Sequence, residues 1–210
     1  DTSSLTWQWN FGNGQTGSSA SPAPQSYTVA GTYPVNLIVT NSSGCRDTVT
    51  TTVEAYAIPV IDAGIDTMIC QGRGVNITAT GAATYSWTPS QGLSCSDCPS
   101  PLATPASETT YLVTGTTVNG CSSRDSVKVR VKYPFSMMNS RGDTLCTGES
   151  MRLSASGAHS YSWTPVTGLD NPASASPLAS PVTTTTYRVI GTDDRNCFTD
   201  TAFIPVVVYN

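Results

Sequence analysis

Tyr85-Ser86-Trp87-Thr88-Pro89, followed by Gly92-Leu93, returns 76 residues later as Tyr161-Ser162-Trp163-Thr164-Pro165, followed by Gly168-Leu169. The same interval links Cys70 to Cys146, Gly81 to Gly157, Pro101-Leu102 to Pro177-Leu178, and Pro105 to Pro181. It also links Tyr111 to Tyr187, Gly115 to Gly191 and Cys121 to Cys197. One spacing held without a gap from Cys70 to Cys121 marks an internal repeat, so the chain reads as a string of similar units.

Each copy has the period of a β-structure. Val75, Ile77 and Ala79 alternate with polar neighbours, and Tyr85 shares a face with Trp87. Val127, Val129 and Val131 point one way and Lys128 and Arg130 the other. Period two, with Gly, Pro and Ser between runs, predicts antiparallel strands with one wet face. About seven short strands per copy suit a sandwich. Trp87 and Trp163 read as core anchors. A carbohydrate-binding tryptophan is the alternative, disfavoured because both sit in alternating strands. The copies span residues 56–132 and 133–210.

Residues 1–55 form a different first unit. Trp7, Trp9 and Phe11 alternate with Gln8 and Asn10, so the aromatics share one side of a strand that ends at a Gly12-Asn13-Gly14 turn. Val35, Leu37 and Val39 mark a second strand, and Val49 and Val53 a last one. The joints Ala55-Tyr56-Ala57-Ile58-Pro59 and Lys132-Tyr133-Pro134 are short and proline-bearing, hence stiff. Three units end to end predict a rod on the order of 100 Å.

Charged residues make up only 11% of the chain, with net charge −4. That excludes nucleic acid as a partner, which needs a basic surface. No apolar run is long enough for a membrane-spanning helix. No signal peptide opens the chain, so it reads as a mature segment or an internal piece of something longer. Seven cysteines and one histidine, His159, without zinc-type spacing point to disulfides and an oxidising compartment. No nucleophile elbow, phosphate loop or zinc-protease motif occurs, so neither enzyme activity nor a cofactor is expected. Calcium at Asp170-Asn171 or Asp193-Asp194 lacks the six to eight oxygens it needs.

Two family resemblances follow from these motifs. Trp7-Gln8-Trp9-Asn10-Phe11-Gly12-Asn13-Gly14 resembles the W-x-W-x-F-G-D-G signature of PKD domains, with Asn13 in place of the usual Asp. Gly31-Thr32-Tyr33-Pro34-Val35-Asn36-Leu37-Ile38-Val39-Thr40-Asn41 resembles that family's G-x-Y-x-V-x-L-x-V-x-N strand. That family places two strands ahead of the Trp strand, so the resemblance implies that the chain begins inside a domain or takes strands from elsewhere. The later copies resemble Ig-like repeats of very long surface proteins secreted by the type IX system of gliding Bacteroidetes. Tyr85 through Leu93, Pro101 through Pro105, and Thr109 through Thr116 carry that resemblance. Together they imply an all-β fold of tandem immunoglobulin-like β-sandwiches in an extended array.

Cys70 and Cys121 lie 51 residues apart, as do Cys146 and Cys197. Joint copying of both members predicts that each pair closes its own unit, at about 3–4 kcal/mol per bridge. Bridging between neighbouring units is the alternative. Cys95-Ser96-Asp97-Cys98 lies in a Gly/Ser/Pro loop and predicts a local disulfide, because a redox pair would normally open a helix. Cys45 has its expected partner in the absent first strands, so it is predicted unpaired.

Five Asp-Ser/Thr-apolar triplets remain, at predicted strand starts. They place hydroxyls at Thr48, Thr67, Ser126, Thr144 and Thr201. Turn chemistry accounts for such triplets without modification. The resemblance implies a second role, because bacteria of that phylum O-glycosylate secreted proteins at such sites. Arg141-Gly142-Asp143 is read as a turn and not as a ligand motif.

The expectation is a non-catalytic stalk or spacer in a large secreted or cell-surface adhesin or filament, serving gliding or attachment. Its partners would be neighbouring repeats of the same chain, surface polysaccharide or other filament chains. The alternative is polysaccharide-binding accessory domains of a secreted hydrolase, with residues 90–100 and 166–176 as the binding loops.

Overall fold

The structure, a computed structural model, describes residues 5–209. The fold is all-β, a tandem series of immunoglobulin-like sandwiches.

The first module contains β1 (Thr6–Asn10), β2 (Thr16–Gly17), β3 (Gly31–Thr40) and β4 (Arg46–Ala55), in the order β2-β1-β3-β4. Trp9 and Phe11 stack with ring centroids 5.8 Å apart, as the alternation requires. The β3–β4 hairpin is the longest pairing here, running from Gly31↔Ala55 to Thr40↔Arg46. β4 is an edge strand with no partner on its outer side among the described residues.

The second module contains β5 (Thr67–Cys70), β6 (Val75–Asn76), β7 (Thr84–Thr88), β8 (Leu102–Ala103), β9 (Thr109–Thr116) and β10 (Ser122–Lys132). One layer runs β5-β10-β9-β7. The facing layer is the β6–β8 pair, continued by bonds from Ile77 N–H to Pro101 O (3.1 Å) and Ala79 N–H to Pro99 O (2.8 Å). A bridge between Asp62 and Thr80 adds a further strand position to that layer. The third module repeats the plan with β11 (Met138–Asn139), β12 (Asp143–Cys146), β13 (Met151–Arg152), β14 (Ala155–Ser156), β15 (Ser160–Thr164), β16 (Leu178–Ala179), β17 (Thr185–Thr192) and β18 (Thr199–Tyr209). Its large sheet runs β12-β18-β17-β15.

Two separate cores lie between these layers. One gathers Ile69, Ile77, Trp87, Tyr111, Val113 and Val129, and the other Leu145, Leu153, Trp163, Tyr187, Val189 and Val206. The aromatic anchors keep their polar ends satisfied, which buried indoles and phenols require. The Trp87 indole N–H donates to Cys98 O at 3.0 Å and that of Trp163 to Ser174 O at 2.9 Å. The Tyr111 hydroxyl donates to Gln91 O and that of Tyr187 to Thr167 O, both at 3.0 Å. Burial pushes both phenols above their ordinary pKa. Gly115 and Gly191 are fixed by crowding. A Cβ would stand 2.8 Å from the Ala82 Cβ in one and 2.7 Å from the Ala158 Cβ in the other.

Trp87→Ala is expected to destabilise the second module by about 3–5 kcal/mol in guanidinium unfolding. The transition of the module built on Trp163 should barely move. A single merged loss across the whole chain would contradict two independent cores.

Candidate functional site at the junction between the second and third modules

The predicted cysteine pairing is corrected by sheet geometry. β5 pairs with β10 in parallel, Thr67 against Val129 and Cys70 against Lys132. Cys70 therefore lies at the far end of β10, while Cys121 immediately precedes that strand's first residue, Ser122. Eleven residues of strand separate the two positions by about 35 Å, whereas a disulfide needs Cα atoms within about 7 Å. Cys146 against Tyr209 and Cys197 before Thr199 are opposed in the same way across β18. The bridge that forms is Cys70–Cys197, with a Cα–Cα distance of 5.4 Å, and it joins the second module to the third. Cys121 and Cys146 are free thiols instead of disulfide partners, and Cys45 is also free.

Several contacts reinforce this junction. Lys132 Nζ lies 2.6 Å from Asp194 Oδ1. That hydrogen bond holds the Asp194 carboxyl below its usual range. An exposed ion pair of this kind adds little stability alone, but beside a covalent bridge it fixes orientation. The Tyr133 hydroxyl donates to Ala106 O at 3.0 Å and ties the linker back to the second module. A cleft of about 100 Å³ at the junction is lined by Lys132, Phe135, Gly157, His159, Asp193 and Asp194.

The hairpin turn that carries Cys197 is organised by Asp193, which is 5% exposed. Its carboxylate accepts the N–H groups of Arg195 (2.8 Å), Cys197 (3.0 Å) and Phe198 (2.8 Å). Burial alone would raise its pKa. The three N–H donors and the Lys132 ammonium outweigh burial and hold the group below its ordinary value of 3.8. Spacing offered the junction bridge only as the alternative to closure within each unit, and it did not reveal this carboxylate's role. The available signal was strand length, since β10 and β18 are too long for a cysteine at one end to reach the other.

Cys95 and Cys98 are bonded to one another. Their role follows from the other copy. Cys98 O receives the Trp87 indole, and Ser174 O receives that of Trp163. In the third module the loop is shaped without sulfur, by Asn171 Oδ1 accepting from Ala173 N–H (3.0 Å) and Asn171 O from Ser174 N–H (3.1 Å). The disulfide and the asparagine turn thus present the same acceptor to the core tryptophan.

The aspartates of the five triplets all accept backbone N–H groups. Asp47, Asp143 and Asp200 accept from their own following residues, Thr48, Thr144 and Thr201, at 2.8–2.9 Å. Asp66 accepts from Lys128, Asp125 from Ala63, and Asp200 also from Met137. Asp125-Ser126 lies inside β10 and not at a strand start, which corrects that expectation. The hydroxyl-bearing residues Thr48, Ser126, Thr144 and Thr201 are exposed and Thr67 is half-buried. Gly142 of the Arg-Gly-Asp stretch is required by packing, since a Cβ would stand 2.1 Å from Pro205 O. Pro89, Gln91 and Gly92 border a cleft of about 310 Å³ with Thr104, Pro105 and Thr109, and no aromatic side chain lines it.

The PKD domain family model matches residues 1–55. The pre-pro-metalloprotease PrtV of Vibrio cholerae is 36% identical over 80 residues, which cover 38% of this chain and 9% of that protein. The chain therefore spans less than a tenth of the curated relative it matches. Among solved structures, the DIP-gamma IG1+IG2 pair is similar with a TM-score of 0.47 and 12% identity, covering 73% of this chain and 99% of the other. Sidekick-1 immunoglobulin domains 1–4 are similar with a TM-score of 0.47 and 11% identity, covering 99% of this chain and 68% of the other.

Two expectations follow for the junction. A bridge between two folded bodies fixes their docking and also closes a loop in whichever module unfolds. Cys70→Ser should widen the inter-module distance distribution measured by fluorescence energy transfer. An unchanged distance distribution would show that the bond does not set the docking. Asp193 has a depressed folded-state pKa, so its contribution is present above the ordinary 3.8 and is lost as pH falls through the lower folded value. Asp193→Asn should melt below the parent protein at pH 7, and the difference should close on acidification below 3.8. A difference that does not vary with pH would rule out a carboxylate effect.

Proposed function

We propose that the chain is a non-catalytic spacer segment of a large secreted or cell-surface repeat protein, holding a binding element away from its anchorage. The observation that carries this reading is the covalent Cys70–Cys197 link across a short linker. A module that acted alone would have no use for a bond that fixes its neighbour's direction. The Lys132–Asp194 pair and the Tyr133 anchor act in the same sense. PKD and Ig-like modules are typical of extracellular proteins, and an oxidising compartment suits the two disulfides. The order of motifs supports a finer assignment to type IX-secreted adhesins or filaments of gliding Bacteroidetes, with neighbouring repeats, surface polysaccharide or other filament chains as partners.

Accessory domains of a secreted hydrolase form a second reading, favoured by the likeness to a metalloprotease. Specific binding on a glycan array, lost on substitution of loop residues 90–100, would select it over the spacer.

Small-angle scattering should give a maximum dimension on the order of 100 Å, with Cys70→Ser broadening the profile. A compact particle would sink the spacer reading. We further propose that the exposed hydroxyls of Thr48, Ser126, Thr144 and Thr201, with Thr67, are O-glycan acceptors. Protein purified from its native host should then exceed the mass of the bare chain, and an intact mass equal to that of the sequence rejects the proposal.

A further inference from the structure

The cysteines outside the Cys95–Cys98 loop form two structural series. The first is Cys45, Cys121 and Cys197, which recur every 76 residues, each in the hairpin turn before its module's final strand. All three are held in the same way. The first residue of each turn accepts the cysteine N–H through its side chain: Asn41 Oδ1 at 2.9 Å, Thr117 Oγ1 at 3.2 Å and Asp193 Oδ1 at 3.0 Å. The second series is Cys70 and Cys146. Each ends a short strand paired in parallel with the close of its module, Cys70 against Lys132 and Cys146 against Tyr209. The backbone beyond them repeats as well, with Gln71 N–H to Lys132 O at 2.8 Å and Thr147 N–H to Tyr209 O at 2.9 Å.

One member of each series is joined in Cys70–Cys197. Cys146 is exposed and occupies the site that Cys70 fills one module earlier. Cys121 lies with Sγ 3.9 Å from Tyr56 O, at the joint between the first and second modules. Both free thiols therefore stand where a module joint presents a bridge position.

We propose that the junction bridge is a repeating device. Cys146 receives the turn cysteine of a further Ig-like module docked in tandem at the end of β18, as Cys70 receives Cys197. Cys45 and Cys121 are the donating halves toward strand cysteines of the Cys70 type. The inference rests on the tandem reading above and extends it from the joint at Cys70–Cys197 to the one that Cys146 would close. Formation is thiol–disulfide exchange with glutathione disulfide. One protein thiolate attacks that disulfide and releases a glutathione thiolate, and the second protein thiolate then displaces the other. Two cysteine thiols become one disulfide, and glutathione disulfide is reduced to two glutathione thiols.

The test extends the full chain with a second copy of residues 133–210, marked by Arg195→Lys in the added copy. After oxidation in a glutathione buffer, non-reducing peptide mapping should find Cys146 linked to the added copy's turn cysteine. Cys70–Cys197 should form alongside, and alkylation of Cys146 should be lost. An alkylatable Cys146 beside an intact Cys70–Cys197 bridge overturns the proposal and leaves the tandem reading standing. Absence of both bridges overturns the two together. If the added copy shows no unfolding transition of its own, isotopically mixed copies of the unextended chain carry the test. Cys146 of one copy should then link to Cys45 of another and fail to do so in Cys45→Ser, whereas monomers alone would overturn the proposal.

Discussion

Parallel pairing of a short strand against the end of a long one governs the behaviour of this chain. β5 covers only the last part of β10, and β12 only the last part of β18. A parallel strand must run in the same direction as its partner, so the cysteine that ends it arrives at the exit pole of its module. The hairpin turn before the long strand lies at the entry pole. Two cysteines of one module are thereby held apart, and cysteines of adjacent modules face each other across the linker. Linkage between modules is therefore a consequence of β-sheet direction, with the linker needing only to be short.

Inside each module the constraint is different. The core is built on one tryptophan and one tyrosine whose polar atoms reach loop carbonyls. These loops are consequently part of the core's hydrogen-bonding balance. Their conformation is fixed by sulfur in one copy and by an asparagine side chain in the other. Divergence of loop chemistry is tolerated so long as the carbonyl reaches the indole. The three turn acceptors Asn41, Thr117 and Asp193 follow the same rule, since unlike side chains present an oxygen to the same N–H.

Much of the fold was legible in advance, because alternation at Val75–Ile77–Ala79 and Val127–Val129–Val131 reports which face is buried. The aromatic series Trp7, Trp9 and Phe11 was equally direct, and its stacking follows from period two. The bridge was legible only as the less favoured of two pairings, because an equal spacing of 51 residues counts positions along the chain and carries no direction in space. Only the register of Cys70 against Lys132 converts that count into a location. The aspartate triplets were legible as turn chemistry, but their reach to Ala63, Lys128 and Met137 depends on long-range layer contacts.

The Cys70–Cys197 bond also changes how the chain would carry tension. A pull applied between the two ends travels along the backbone to Cys70, crosses the sulfurs and leaves from Cys197. The chain between them, a sequence separation of 127, lies off the load path and cannot be drawn out while the bond holds. About 430 Å of extensible contour is locked away in this manner, and with it most of two sandwiches. Under stretch such a chain would behave less like a row of unravelling springs than like a cable whose slack has been tied off, to be released only by reduction.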